Sequence, residues 1–192
     1  MIIVKALETT ENWAVYHKSL GATKYIELNN EAAAGTSAVM WNDTEPTSTL
    51  FTVNTNGGVN TAGNDYVAYC FADIKGYSKF SEYTGNGNDD GPFIYTGFKP
   101  AFLIMKETTD SSTNWIMYDN KRSTFNVIDT YLKPNSSDAE ATGLEFDFVS
   151  NGIKCRTNNT GINASGDNYI FMAFASEPLV ANIGTGIPAT AR

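Results

Sequence analysis

The stretch GINASGDNYIFMAFA, Gly161–Ala175, repeats an earlier one, GVNTAGNDYVAYCFA, Gly58–Ala72, at a constant offset of 103 residues. Six of the fifteen positions are identical and four more exchange Val for Ile or Asn for Asp, where chance gives about one identity. A second pair, NWAVYHK (Asn12–Lys18) and NWIMYDN (Asn114–Asn120), lies at an offset of 102, and Lys5 falls opposite Lys106 at 101. One-residue steps between offsets are what loop insertions leave, so the sequence predicts one block used twice.

Each copy reads as short strands. The first offers MIIVK, WAVYHK, TKYIELN, SAVMW, LFTVNT and DYVAYCFA; the second offers FIYTGFKPAFLIMK, NWIMYD, FNVIDTYL, GLEFDFV, GIKCRT and NYIFMAFA. These β-branched and aromatic runs are separated by Gly, Asn, Asp and Ser. In GLEFDFV, Leu144, Phe146 and Phe148 alternate with Glu145, Asp147 and Val149, one face packed and the other solvated. No helix-length segment intervenes, since NNEAAAGTS is at most a turn of helix or a loop. The expected fold is all-β, an antiparallel β-sandwich or jelly roll built from two homologous repeats, residues 1–76 and 77–192. GYSKFSEYTGNGNDDGPFIY reads as a hairpin that opens the second repeat, and nothing precedes MIIVK in the first. The first repeat therefore lacks its leading strand, and the expectation is either a chain cut from a longer polypeptide or a neighbour's strand that fills the edge by β-augmentation.

Composition narrows the function. The chain is 42% hydrophobic but only 18% charged, with a net charge of -8, which disfavours a surface that tracks phosphates; no nucleic-acid partner is expected. No run approaches the roughly 18 apolar residues of a membrane span, so no membrane insertion is expected. Cys70 and Cys155 are too few for a disulfide framework and read as buried free thiols.

The motifs MIIVK, WAVYHKSLGATKYIELN, YVAYCFA, GYSKFSEYTGNG, DGPFIYTGFKPAFLIMK and YIFMAFASEP, in this order over nearly the whole chain, resemble the C-terminal region of a family of large virion proteins of tailed bacteriophages, common in marine phages. The resemblance implies a lectin-like β-sandwich in a tail-fibre or other particle-surface component. The location implied is the virion surface, after synthesis in the bacterial cytoplasm. No catalytic residues come with it.

The residues themselves offer little chemistry. His17 is the single histidine, on a strand read as a surface strand, so neither a nucleophile's base nor a metal's nitrogen ligands are at hand. Glu145 and Asp147 share a strand face as in some jelly-roll glucanases, but the place of the partner acid is taken by Val149 or Ser150. No enzyme activity and no cofactor are expected. Asn86, Asn88, Asp89 and Asp90 in GNGNDDG gather hard oxygen atoms suited to calcium or sugar hydroxyls, although a turn uses the same residues for positive φ. Trp13 and Trp115 occupy equivalent places and read as core anchors. Trp41, with Asn42 and Asp43, has no counterpart in the second copy and is the preferred ligand contact.

These readings predict a non-enzymatic virion structural protein, a tail-fibre or adhesin-type module contacting host-surface glycan and acting in many copies. One alternative is a capsid or tail decoration protein that packs against other virion subunits, through the open edge and the arm EPLVANIGTGIPATAR, as a homo-oligomer. A free-standing carbohydrate-binding domain is the third.

Overall fold

NYIFMAFA is apolar at nearly every position, a pattern that only a strand covered on both faces can use. In the structure, a computed structural model that describes residues 1–177, this segment is the centre of the middle sheet of three. The C-terminal arm predicted from EPLVANIGTGIPATAR lies outside the described residues from position 178 onward. Sheet I has the order β4 (Gly35–Thr36), β3 (Lys24–Glu27), β2 (Ala14–Tyr16), β1 (Ile2–Ala6), β5 (Tyr66–Cys70). Sheet II has the order β6 (Ser78–Thr84), β12 (Asn168–Ala175), β8 (Pro100–Glu107), β9 (Ile116–Asp119). Sheet III has the order β10 (Phe146–Val149), β11 (Gly152–Cys155), β7 (Phe93–Tyr95). All pairings are antiparallel, as expected for an all-β sandwich.

Alternation assigns each strand's side chains to a core. From β12, Ile170 and Met172 point to sheet I and join Ile3, Val15, Ile26, Ile104 and Trp115. Tyr169, Phe171 and Ala173 point the other way and join Phe146, Phe148 and Ile153 of sheet III. The far face of sheet I (Ile2, Val4, Ala14, Tyr16) packs under Met40, Trp41 and Val59. The inward set Leu144, Phe146 and Phe148 is buried as its alternation predicts, with Glu145 and Asp147 only partly covered.

The segments that repeat in sequence take the same partners in the same register. Val4 pairs with Ala68 and Lys5 with Val67, as Met105 pairs with Phe171 and Lys106 with Ile170. Ile3 lies opposite Val15 as Ile104 lies opposite Met117. Side-chain bonds recur as well. The Trp13 N–H donates to Asn29, and the Trp115 N–H to Asn135, at 2.8 and 2.9 Å. The Tyr66 hydroxyl donates to Gly57 O and the Tyr169 hydroxyl to Thr160 O, at 2.7 and 2.8 Å.

Several elements differ from the sequence expectation. SAVMW is not a strand but carries a helical turn, α1 (Ala38–Trp41), entered from extended Ser37 and stopped by left-handed Asn42 and Asp43, at φ 54° and 47°. LFTVNT forms no strand. GYSKFSEYTGNGNDDGPFIY is not a hairpin: β6 pairs with β12 and β7 with β11, in different sheets. Its Gly-rich turn is a crossover between sheets. A Cβ at Gly85 would lie 2.1 Å from Ala164 O, so only glycine permits that approach. A second short helix, α2 (Thr160–Asn163), is capped by the Asn159 side chain, which accepts from Gly161 N–H at 2.9 Å. Cys155 is buried as expected, whereas Cys70 is exposed, on β5, which has no partner on its outer side among the described residues.

Candidate functional site

The contact residues chosen from sequence do not form one site. Trp41 is only 2% exposed and meets Tyr16 edge-on at 6.1 Å, so its ring is core and presents no platform to a sugar. Its Nε1 has no hydrogen-bond partner among the described residues. Asn42 and Asp43 are exposed, but Asn42 Oδ1 already accepts from Asn54 Nδ2 at 3.0 Å.

The loop at 85–91 is tied to the rest of the protein through a buried amide. Asn163, fully buried, accepts from Asn86 N–H at 2.8 Å, and its Nδ2 faces Asn86 Oδ1, Asn88 O and Thr157 O at 3.1, 2.9 and 2.8 Å. Asn88 N–H donates to Asn86 Oδ1 at 3.0 Å, Asp89 accepts from Asn158 N–H at 3.1 Å, and Asp90 pairs with Lys154 at 2.6 Å. Among the described residues no three His, Cys, Asp or Glu side chains gather as a metal ion would require. Asp147 is tied to Arg156 at 2.7 Å. Trp115 is buried and donates from Nε1 to Glu27 O at 2.8 Å, while Trp13 is half-buried and stacks on Tyr69 at 6.4 Å.

Tyr95, which the sequence reading passed over, sits beside a hollow of about 450 Å³ lined by Asp73, Lys75, Lys79, Tyr95 and Thr96. In β7, Ile94 turns inward and Phe93 and Tyr95 outward; Tyr95 is 64% exposed. Gly97, at φ 84°, turns the chain directly after it. Across the hollow the crossover from β5 to β6 presents Asp73 and Lys75. Asp73 accepts from Phe80 N–H at 2.7 Å, pairs with Lys18, and has Lys79 at 3.8 Å. Partial burial pushes its pKa up, but these bonds and charges outweigh that and hold it below the ordinary carboxylate value. An exposed ring beside a fixed carboxylate and two lysines can stack on an apolar ring face and hydrogen-bond polar substituents at its rim. The signal that could have found Tyr95 is the two-residue alternation of FIY.

His17 and Lys106 are among the buried ionisable groups outside the hollow. His17 is 1% exposed rather than on a surface strand, because sheet I is covered on both faces. Nδ1 accepts from Ser19 N–H and Nε2–H donates to Phe171 O, both at 3.2 Å. Burial first, then the nearby amino terminus and Lys18, push its pKa down to about 4 despite the pull of Phe171 O and Asp73. The unfolded chain binds this proton near pH 6.5 and the folded chain only near 4, so stability is full above pH 6.5 and falls as pH drops through that window. The loss should reach about 3 kcal/mol at pH 4, and His17→Gln should flatten this part of a urea-melt pH profile; an unchanged slope would refute the assignment. Lys106, 1% exposed, donates to Glu107 O and Thr113 Oγ1 at 2.6 and 2.9 Å, and burial lowers its pKa to about 8.

A family described as "Domain of unknown function (DUF7483)" matches residues 1–178, and the chain belongs to it. No curated protein and no solved structure matches the chain.

Proposed function

We propose that the protein is a non-enzymatic structural module of a bacteriophage particle surface, of tail-fibre or adhesin type, that touches host glycan through the hollow beside Tyr95. The resemblance of its motifs to phage virion proteins supplies the setting. The observation that carries the contact is Tyr95, exposed on the outer face of an edge strand beside Asp73, Lys79 and Thr96. A single shallow contact of this kind binds weakly, and many copies on one particle convert weak contacts into adhesion.

The test is a glycan array probed with the wild-type chain and Tyr95→Ala, displayed multivalently. Tyr95→Ala should lower binding about tenfold, the scale of losing one aromatic anchor, with unchanged thermal unfolding. Equal binding by both proteins would rule out the hollow. A second reading, a capsid or tail decoration protein acting only through protein packing, draws on the outer edge of β5, which has no partner among the described residues. It predicts no glycan binding and a homo-oligomer by light scattering.

A further inference from the structure

Tyr95 has a neighbour on its own strand. Because β7 turns Ile94 into the core, Phe93 and Tyr95 both reach the outer face of sheet III. A Cβ placed on Gly152 would lie 2.7 and 2.8 Å from Cζ and Cε2 of Phe93, so that ring fills the space in which any other residue would carry a side chain. A Cβ placed on Gly97 would meet Oη, Cε1 and Cζ of Tyr95 at 3.5, 3.7 and 3.7 Å. Each ring therefore rests on glycine backbone on its inner side and is open on the other, Phe93 at 49% and Tyr95 at 64% exposure. A ring braced in this way has little freedom left to lose when something stacks on it.

Residues two apart on one strand are about 7 Å apart, so the rings form a row along β7. One sugar ring does not cover both, whereas successive units of an extended chain do. The charges beside the two rings differ. Next to Phe93, its cross-strand neighbour Lys154 is matched by Asp90 at 2.6 Å. Next to Tyr95, Lys75 and Lys79 line the hollow with Asp73 as the single carboxylate of the lining, and Lys18 draws on that carboxylate as well. Three lysines thus share one acidic group, on a chain whose net charge is -8. The centre of the face is charged too, since Lys154 and Asp147 lie opposite each other on β11 and β10, unlike the charge-depleted centre of a protein interface.

We propose that this face takes an extended acidic polysaccharide laid along β7, with successive sugar rings stacked on Phe93 and Tyr95 and a carboxylate of the chain seated against Lys75 and Lys79. The inference rests on the glycan contact proposed above and deepens it in two ways. The ligand is a chain of at least two units, held by Phe93 as well as Tyr95, and it is negatively charged where it enters the hollow. Stacking is tolerant of sugar type because every pyranose has an apolar face, so the charge at the Tyr95 end supplies the selectivity.

The probes are alginate, polygalacturonate and hyaluronate, each beside the same polymer with its carboxyl groups reduced to alcohols, immobilised for biolayer interferometry with the full chain. At least one acidic polymer should bind, and its reduced form should bind about tenfold more weakly. Phe93→Ala and Tyr95→Ala should each lower affinity for that polymer about tenfold. Lys75→Gln should lower it about threefold and weaken its dependence on salt. All three side chains are exposed, so thermal unfolding should not change. A loss at Tyr95→Ala with none at Phe93→Ala would leave the single-ring contact standing and overturn the extended chain. Equal binding to acidic and reduced polymers would overturn the charged ligand. Binding to none of these polymers would overturn this inference, and the glycan array with Tyr95→Ala then decides separately whether the hollow takes another sugar.

Discussion

Trp115→Ala will lower stability by about 3–5 kcal/mol, the scale of emptying a large buried aromatic site. Its indole fills the space between sheets I and II and its Nε1 donates across that space to Glu27 O at 2.8 Å. The variant loses both the packing and the bond, leaving a buried carbonyl to find another donor. Since a domain is typically stable by only about 5–15 kcal/mol, much of the total goes with one side chain. The equivalent residue behaves differently. Trp13 is half-buried against Tyr69 and donates no side-chain bond among the described residues, so Trp13→Ala should cost about 1–2 kcal/mol. Urea denaturation of both variants, with unchanged m-values, checks the pair. Equal losses would mean that the two tryptophans share the load and that the contact of Trp115 with sheet I is not the dominant one.

Asn163→Ala should cost about 3 kcal/mol, because one buried amide serves Asn86 N–H, Asn86 Oδ1, Asn88 O and Thr157 O together. With it gone, the crossover at 85–91 loses its anchor, and amide exchange at Asn86 should rise with the loss in stability. Asn60 is its equivalent at the offset of 103, but it is exposed and its side chain engages no partner among the described residues. Asn60→Ala should stay within about 0.5 kcal/mol of wild type. A large loss at Asn60 would show that something outside the described residues uses that amide.

How much of this was legible depends on the number of faces that each strand buries. Phe146 and Phe148 were readable because sheet III has one wet side, so alternation separates them cleanly from Asp147. His17 was misread by the same rule, since sheet I lies between two cores and polar residues at its strand ends are buried too. Trp41 looked exceptional for lacking a counterpart, yet the reason is local: α1 and the chain after it form a lid over sheet I that the second half replaces with sheet III. The misread hairpin at GNGNDDG has a cause of the same kind. Turn composition records which backbone angles a loop needs and says nothing about which strands it joins, and the partner of β6 lies in β12, far along the chain. Tyr95 was within reach, because FIY alternates, but a three-residue strand is too short for its alternation to stand out.

The place of β12 between two cores also has a consequence for the order in which the protein can be made. Thr84 at the end of β6 meets its strand partner Asn168 only 84 residues later. At about 5–20 residues per second, β6 and the inner face of sheet I spend several seconds outside the ribosome with Ile3, Val15 and Phe80 uncovered. The first half cannot complete its burial vectorially; it waits for β12 to emerge. Folding is therefore committed late and over long loops, which makes it slow, and a chain stalled before β12 would present a bare apolar sheet to its neighbours on the same message.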